Sequence, residues 1–410
     1  MVDSRKCLVG VVGGNSFGFA VTLDLVEQGF FVVVVDPSVL DPQDIIDPSI
    51  GNFMFNTVHS AFEHGLLEIT NDLSKLNQAT LIFDCVGIED CSLRKNAEVI
   101  LPHLQENSCY IIKNTVPVGT GDSLQEWFDQ RDKKIEVISY PELYREETAP
   151  VPINQPSYIV LGGDVLHPGI HSLRRLLYRD SLPIIMTSRK EAEMIKLAVS
   201  TFIATKLSFV NQMASLCEAM GIDIVTVART IGIDPGIGQA YLQPGIGVVE
   251  PYLKEVELTM EQANRKGVLT PLLDAVLKVD QNQKNWVITK LTRKYPIVKG
   301  KKIAVWGGNM IGVEGILQQL AAQCTEIKLH YITQLDNTIE QMAWFSNHMD
   351  AVEDTQALII LSNLREYIES DLDFIKQKMI TPFIVDAMSL FPPEMMEDRG
   401  FEYISVGRKV

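Results

Sequence analysis

The longest hydrophobic pattern in the chain runs through residues 191–220 and predicts one long helix near its middle. A first apolar stripe recurs at three- and four-residue steps and comprises Ala192, Ile195, Val199, Ile203, Leu207, Val210, Ala214 and Cys217. A second stripe lies on another side and comprises Phe202, Phe209, Met213, Leu216 and Met220. A helix that is apolar on two sides is expected to be buried between two bodies, so we expect it to join the domains before and after it.

Three polar residues of this helix, Lys196, Ser200 and Asn211, fall on nearly one line. Offsets of four and eleven residues each return to the same helical face. Such a line is either a solvated edge or a functional face, and the helix pattern alone does not decide between them.

The first 36 residues follow the order strand, glycine-rich turn, helix, strand, which predicts a Rossmann unit. In the turn, Gly13 and Gly18 fill the first and third positions of the dinucleotide fingerprint, and Asn15 occupies the second. The Asn15 side chain takes up space meant for phosphate, so the domain has either kept its nucleotide or lost it. If the side chain is the obstacle, Asn15→Gly should tighten binding. Asp36 ends the second strand, where a carboxylate accepts from ribose hydroxyls and disfavours a 2′-phosphate.

Further strands are predicted at residues 80–86, 109–112, 135–139, 158–163 and 182–186. Residues 114–120 form a turn at the carboxyl end of one of these strands, and residues 139–142 leave the next in the same way. Doubly wound sheets keep their ligands at this edge. Glu142 is therefore either a candidate acid or base or an ordinary exposed loop carboxylate.

Composition narrows the class of partner and the compartment. The chain has 410 residues and a net charge of −16, so we expect two or three domains and neither nucleic acid nor an anionic membrane surface as a partner. The negative net charge does not exclude an anionic substrate, because only the pocket that binds it needs to be basic. Its six cysteines are scattered without metal-ligand spacing, which indicates free thiols in a reducing compartment and no metal site. No signal peptide or membrane-spanning run is evident, so a cytoplasmic location is expected.

Several long motifs together resemble the UDP-glucose/GDP-mannose dehydrogenase family, whose members oxidise the C6 hydroxyl of a nucleotide sugar to a carboxylate with two NAD. The motifs are LIFDCV, NTVPVGT, YPELYREETA, the segment EMIKLAVSTFIATKLSFVNQMASLCEAMGIDIVTVARTIG, YLQPGIG, KEVELTMEQANRKGVLTPLLDAVLKVDQNQ, ALIILS and GFEYISVGR. The resemblance implies an α/β fold in which two Rossmann-like doubly wound domains are joined by a central helical dimerisation segment. It places an NAD-binding domain at residues 1–190, the helical domain at 191–295 and a nucleotide-sugar domain at 296–410. A homodimer, a nucleotide-sugar-like substrate and a place in polysaccharide biosynthesis are implied as well.

The resemblance also assigns candidate site residues. Glu142 matches the family's catalytic carboxylate, and Lys196 matches the lysine that holds the reacting oxygen. Ser200 stands where the family has asparagine, and Lys254 with Glu255 matches its Lys-Asp pair. The NAD site is expected at Gly13, Asn15, Phe17, Gly18, Asp36, Val86 and Thr115.

Departures from the family pattern fall on the residues that the family uses for catalysis and for binding its substrate. The nucleophile loop G-F-G-G-S-C-x-P-K-D is matched by residues 247–255, which are one residue shorter and contain no cysteine; Pro251 and Tyr252 stand nearest the thiol position. In the family's D-x-R-I-G the arginine, which reaches the partner subunit's substrate, is replaced by Gly236. The motif F-K-x-x-T-D-D-x-R-x-S-P is replaced by a glycine-rich turn at 307–312, and Met388 replaces the arginine of D-G-R-N.

Three interpretations follow from this mixture. In the first, the chain is a catalytically diminished or non-catalytic member that keeps the fold, with or without the cofactor. In the second, it is an active two-electron oxidoreductase on a sugar nucleotide or another alcohol or aldehyde, and uses Lys196 and Glu142. In the third, it still makes a uronic acid, which the missing thiol disfavours.

Overall fold

The computed structural model describes residues 8–36, 52–86, 90–143, 157–178, 182–308, 313–324, 326–331 and 341–408. The chain forms two compact units, Met1–Val199 and Ser200–Val410. The described part of each unit contains one sheet flanked by helices. The boundaries at 190 and 295 expected from the sequence remain a prediction.

The sheet of the first unit has the Rossmann strand order. Its described strands are β1 (Leu8–Val12), β2 (Phe31–Val35), β3 (Leu67–Thr70), β4 (Leu81–Asp84), β5 (Cys109–Ile112), β6 (Glu136–Ser139), β7 (Ile159–Gly162) and β8 (Ile184–Thr187). They lie in the order β3-β2-β1-β4-β5-β6-β7-β8, parallel except for the β6–β7 pair. The order reverses between β1 and β4, which is where such a sheet opens a crevice for its ligand. The predicted fold class is confirmed.

Helices cover both faces of this sheet. They are α1 (Ser16–Glu27), α2 (Asn52–Glu63), α3 (Asp90–Ile100), α4 (Thr120–Asp129), α5 (Pro168–Leu176) and the start of α6 (Arg189–Met220), with short 3₁₀ helices at Leu73–Gln78 and Leu101–His103. Because strand side chains alternate in direction, Val32 and Val34 pack into one core layer and Val33 and Val35 into the other. Burial on both faces explains why these strands are uninterrupted apolar runs.

The long helix α6 begins with a capping box. The Glu191 carboxylate accepts from the backbone N–H of Ser188 at 3.0 Å, and the Glu191 N–H donates back to the Ser188 hydroxyl at 3.3 Å. The Thr187 hydroxyl and the N–H and hydroxyl of Ser188 all donate to the Glu191 carboxylate and lower its pKa to about 2. The helix therefore starts two residues before the predicted Glu191 and ends at the predicted Met220.

The two stripes of α6 have different environments. Ala192, Leu207, Val210, Ala214 and Cys217 of the first stripe are buried in the chain, as predicted. The second stripe is largely exposed: Phe202 is 70% exposed, and Phe209, Leu216 and Met220 are exposed as well. The second stripe is therefore not covered within the single chain, and an apolar face is left over.

The polar line of α6 is not a solvated edge. Ser200 and Asn211 are buried, and Lys196 is half-buried. Polar groups are placed in a protein interior at a free-energy cost, so each one needs a structural or chemical partner. The solvated alternative is wrong for this face.

The second unit contains a helical part and a second Rossmann-ordered sheet. Its helices are the rest of α6, α7 (Ile224–Ile231), α8 (Glu250–Arg265), α9 (Pro271–Lys294), α10 (Glu314–Ala321), α11 (His348–Ala351), α12 (Arg365–Ile368), α13 (Leu372–Lys378) and α14 (Pro393–Asp398). Its strands are β9 (Lys302–Gly308), β10 (Glu326–Tyr331), β11 (Met342–Phe345), β12 (Ala357–Ile360), β13 (Phe383–Asp386) and β14 (Glu402–Ser405). The parallel order β11-β10-β9-β12-β13-β14 repeats the arrangement of the first sheet around β1.

The thiols agree with the sequence where they are described. Cys85, Cys109, Cys217 and Cys324 are buried and free, while Cys7 and the side chain of Cys91 lie outside the described residues. Within the described ranges, no helix has both the length and the apolar character that crossing a bilayer requires.

Candidate functional site

The glycine-rich turn lies at the switch point between β1 and β4. Gly13 has a φ of +109°, and a Cβ there would approach the Val86 side chain to 2.9 Å. A Cβ on Gly18 would come within 2.0 Å of the Gly13 carbonyl oxygen, so α1 packs directly on the turn. Both glycines therefore have the roles that a dinucleotide fold requires, and the cradle fits a pyrophosphate.

Asn15 is part of the turn's own hydrogen bonding. Its side-chain oxygen caps α1 by accepting from the Gly18 N–H at 2.9 Å, and its amide donates to the Cys85 carbonyl at 2.9 Å. Asparagine therefore ties the turn to the end of β4. The side chain is therefore a structural part of the turn, and its effect on the phosphate of a bound nucleotide stays a prediction.

The acidic residue after β2 faces the turn. The Asp36 carboxylate accepts from the Gly14 N–H at 2.8 Å. On the other side of the crevice, the Asp84 carboxylate accepts from the Val86 N–H at 3.0 Å and from the Tyr110 hydroxyl, which fixes the residue that follows β4. The predicted cofactor residues Gly13, Asn15, Gly18, Asp36 and Val86 are thus gathered at one edge of the sheet.

A buried ion pair, which sequence reasoning missed, lies next to this crevice. Lys113 directly follows β5, its side chain is 3% exposed, and its Nζ lies 2.6 Å from a carboxylate oxygen of Glu142. The ammonium group also sits 3.9 Å from the centre of the Tyr140 ring and 5.9 Å from that of Phe17. Lys113 thereby connects the dinucleotide turn with the predicted catalytic carboxylate. The only sequence signal was a lysine after the apolar strand CYII.

Glu142 is mostly buried and has one oxygen available. Burial raises the pKa of its carboxyl group, and the positive charges of Lys113 and Lys196 oppose that rise. Its second oxygen, Oε1, is buried without a hydrogen-bond partner among the described residues. A carboxylate held by one lysine and influenced by another can accept a proton from a substrate.

Lys196 lies beside the same strand edge. It lines a small pocket with residues from the turns after β5 and β6; the other lining residues are Ile112, Asn114, Thr115, Val116, Ser139, Pro141 and Glu193. Glu142 follows Pro141 directly. The structure therefore places Lys196 in one pocket with Thr115 and close enough to Glu142 to influence its charge, and the arrangement suits stabilisation of an oxygen anion next to a proton acceptor.

The remaining predicted catalytic residues do not form one group. Ser200 follows Lys196 by one turn, and its hydroxyl is buried with no partner among the described residues. Lys254 is exposed and faces Glu250 at 3.9 Å. Glu255, its neighbour, is buried on α8. Successive residues of a helix point about 100° apart, so Lys254 and Glu255 do not act as a pair here.

The loop before α8 is clamped by buried polar side chains. The Gly245 N–H donates to Asn211 at 2.9 Å, and its carbonyl accepts from Gln283 at 2.6 Å. Asp280 accepts from the Val248 N–H at 2.7 Å. Asn211, the last member of the polar line on α6, therefore has a structural role.

The positions nearest the expected thiol lie in the first turn of α8. The helix begins at Glu250, Pro251 occupies its first turn, and Tyr252 is buried beside it. Tyr252 packs edge-on against Tyr241, with ring centres 6.5 Å apart. A proline and a core tyrosine thus occupy the positions that the resemblance aligns with the family's thiol.

The other departures from the family pattern have structural roles of their own. The loop that contains Gly236 is held by Lys206, whose Nζ donates to the carbonyls of Ile237 at 2.8 Å and Gly238 at 3.1 Å. Met388 is buried in the core of the second sheet. Residues 309–312 of the second glycine-rich turn lie outside the described residues.

Comparison with known proteins agrees with this geometry. The model of the UDP-glucose/GDP-mannose dehydrogenase family, NAD binding domain, matches residues 7–180, and that of the family's central domain matches residues 190–282. UDP-glucose 6-dehydrogenase TuaD of Bacillus subtilis is 29% identical over 98% of this chain and 91% of its own length. UDP-glucose 6-dehydrogenase of Rhizobium meliloti is 27% identical over 98% and 99%.

Solved structures show the same fold. The UDP-glucose dehydrogenase of Pyrobaculum islandicum superposes with a TM-score of 0.83 at 19% identity and covers 99% of this chain and 98% of its own. The UDP-D-ManNAc dehydrogenase of Pyrococcus horikoshii gives 0.80 at 18% identity, with 98% and 99% covered. With the two family matches and the Rossmann crevice of the first unit, the chain belongs to the UDP-glucose/GDP-mannose dehydrogenase family, and NAD is its cofactor.

Proposed function

We propose that this protein is a divergent NAD-dependent member of its family that does not carry out the four-electron oxidation of a UDP-sugar to a uronate. The observation that carries the proposal is the segment 247–255, which contains no cysteine and leads into the first turn of α8. The second oxidation of the family reaction needs a thiolate that holds the aldehyde covalently. The side chains of Pro251 and Tyr252 cannot form that adduct.

No described cysteine offers a substitute. Burial raises the pKa of the Cys85 thiol well above its usual value, and it raises the pKa of Cys109 to about 12 and that of Cys324 to about 11. Cys217 is buried in the apolar stripe of α6. A thiol is nucleophilic only as the thiolate, and an apolar surrounding disfavours that form.

Substrate binding is altered as well. By resemblance, Gly236 stands where the family has the arginine that reaches the partner subunit's substrate, and Met388 stands where it has the arginine of D-G-R-N. Glycine and a buried methionine cannot make the two parallel hydrogen bonds that a guanidinium group makes to a phosphate. A nucleotide-sugar-like small molecule remains the proposed ligand class, bound more weakly than in a relative with both arginines.

A second candidate, an active two-electron oxidoreductase, is favoured by the Lys113–Glu142–Lys196 arrangement. In this reaction a substrate hydroxyl gives its proton to Glu142, while the Lys196 ammonium stabilises the negative charge on the oxygen. Bound NAD supplies the acceptor for the hydride from the same carbon. The product is an aldehyde or ketone, and no thiol is needed.

One experiment separates the two candidates. NADH absorbance is followed with UDP-glucose, UDP-N-acetylmannosamine, GDP-mannose and simple alcohols and aldehydes. A two-electron enzyme yields one NADH per molecule, and Lys196→Met lowers its rate by roughly 100-fold or more. If no substrate yields NADH, the result supports the non-catalytic candidate. Lys190→Met, an exposed lysine on the same helix, is the matched control.

We expect NAD to bind more tightly than NADP by roughly tenfold or more, because the Asp36 carboxylate repels a 2′-phosphate. Asn15→Ala should lower the free energy of unfolding by about 1 kcal/mol through loss of the α1 cap, without tightening NAD. Titration calorimetry and thermal unfolding measure both. Tighter NAD binding by the Asn15 variant would show that the side chain obstructs the phosphate after all, and absence of NAD binding by the wild type would refute the cofactor site.

We also propose a homodimer formed through the exposed stripe of α6. Phe202, Phe209, Leu216 and Met220 form an apolar surface of the kind that monomers rarely leave uncovered. A two-fold axis would pack this stripe against its own copy. Phe209→Glu should convert the dimer to a monomer in light scattering at micromolar concentration, whereas Ser215→Glu, on another side of the helix, should not. A monomeric wild type would contradict the proposal.

A cytoplasmic location fits the proposed chemistry. The four described cysteines are free, as expected in a reducing compartment, and NAD and nucleotide sugars are soluble substrates.

A further inference from the structure

A buried carboxylate on α6 binds the segments that surround Lys196. Glu193 is 2% exposed and lies one turn before Lys196. One of its oxygens accepts from the Gly119 N–H at 2.6 Å. The other accepts from the Gly121 N–H at 2.8 Å and from the Ser139 hydroxyl at 2.9 Å. Three donors on a single carboxylate make it one of the most fully bonded side chains of the first unit.

These bonds hold Ser139, which lines the pocket, and the start of α4, which follows the lining residues of the turn after β5. Gly119 and Gly121 belong to the start of α4, which ends the turn containing Asn114 and Thr115. Ser139 is the last residue of β6, directly before the segment that leads to Glu142. The first N–H groups of a helix have no partner within the helix, and an anionic oxygen satisfies them strongly.

We propose that Glu193 is the positioning residue for Lys196. It fixes the start of α6 against the turns after β5 and β6, so that Lys196 is held opposite Thr115 and near Glu142. This inference rests on the proposed use of Lys196 in the site. Glu193 also lines the pocket, but both of its oxygens already accept from protein donors, so the role we assign to it is to position Lys196.

The chemistry of the three bonds predicts a sharp response to an isosteric change. In Glu193→Gln one acceptor oxygen becomes an NH₂ group, which must face a backbone N–H of Gly119 or Gly121. Two donors cannot bond to each other, so at least one link between α6 and α4 is lost while size and shape are kept. Ser139→Ala removes only the hydroxyl bond and should give a smaller effect in the same direction.

The test reads the environment of Lys196 directly and does not require turnover. The full-length protein is treated with a limiting amine-acylating reagent, and labelling rates are measured by peptide mass spectrometry. Glu193→Gln should raise the labelling rate of Lys196 by about fivefold, the effect of one lost hydrogen bond, and leave the exposed Lys95 on α3 unchanged. Glu191→Gln, which alters the exposed cap of the same helix, should leave Lys196 unchanged.

The outcomes are distinguishable from failure of the proposed function. Unchanged Lys196 labelling in Glu193→Gln would overturn the positioning role, whether or not the protein turns over any substrate. If Glu193→Gln does not fold, Ser139→Ala decides by the same readout. If the protein shows two-electron turnover, Glu193→Gln should lower kcat more than it raises KM. If the variant loses thermal stability while kcat and Lys196 labelling stay unchanged, Glu193 has a purely structural role.

Discussion

Introducing a cysteine at position 251 or 252 is expected to leave uronate formation at the background level. A lost nucleophile typically removes several orders of magnitude in rate, and here the thiol is only one of the missing parts. The segment is one residue shorter than the family's, Pro251 lies in the first turn of α8, and Gly236 offers no guanidinium group. A thiol added at either position would lack both the loop geometry and the substrate grip. Mass-spectrometric detection of the acid measures the result.

The control for this prediction is folding. Tyr252 is buried, so Tyr252→Cys is expected to cost about 3 kcal/mol through the cavity it leaves, whereas Pro251→Cys should cost less. Each variant is therefore compared with the corresponding serine variant. Acid produced by a cysteine variant and not by its serine counterpart would show that the segment can present a nucleophile, and that the proposed loss is a single substitution.

Replacing Lys113 by methionine is expected to destabilise the first unit by about 3–5 kcal/mol at neutral pH, since it leaves the buried Glu142 without its closest counter-charge. Burial already raises the pKa of Glu142 above the ordinary value of 4.5, and removing Lys113 raises it further. A carboxyl group whose pKa is raised on folding favours the folded state only while it is protonated. The loss in free energy of unfolding caused by Lys113→Met should therefore be small below about pH 4.5 and grow as the pH rises. Denaturant unfolding at several pH values measures it.

Two variants control this prediction. Lys190→Met removes an exposed lysine that pairs with Asp122, and should cost no more than about 1 kcal/mol. Adding Glu142→Gln to Lys113→Met removes the uncompensated charge and should recover much of the loss. A deficit that is independent of pH, or one that Glu142→Gln leaves unchanged, would show that Lys113 acts by packing on Tyr140 and Phe17.

The architecture could be predicted from the sequence because it follows from strongly periodic segments. Uninterrupted apolar runs such as Phe31–Val35 predict strands that are covered on both faces, and the order of strand, glycine-rich turn, helix and strand predicts the switch point. The two stripes of α6 were visible from spacing alone. The spacing does not show which stripe is covered within one chain, because periodicity identifies the faces of a helix without identifying what packs on them.

The details of the site depend on side chains that no local pattern reveals. Lys113 pairs with Glu142 across two strands, and Glu193 gathers donors from residues more than 50 positions earlier. The volume of Asn15 predicts an obstacle to phosphate, because sequence shows the size of a side chain and not its direction; the structure gives it one hydrogen bond within the turn and one to the Cys85 carbonyl. Long-range contacts of this kind follow from the assembled sheet edge, where strands distant in sequence end side by side.

The most direct test of the account counts the products of the wild-type protein. UDP-glucose, UDP-N-acetylmannosamine and GDP-mannose are each incubated with NAD, with NADH followed by absorbance and the acid by mass spectrometry. We expect NAD to bind and no uronate to form, with at most one NADH per sugar. Stoichiometric acid with two NADH per sugar at enzyme-like rates would contradict it, and would mean that the chain provides a nucleophile outside residues 247–255.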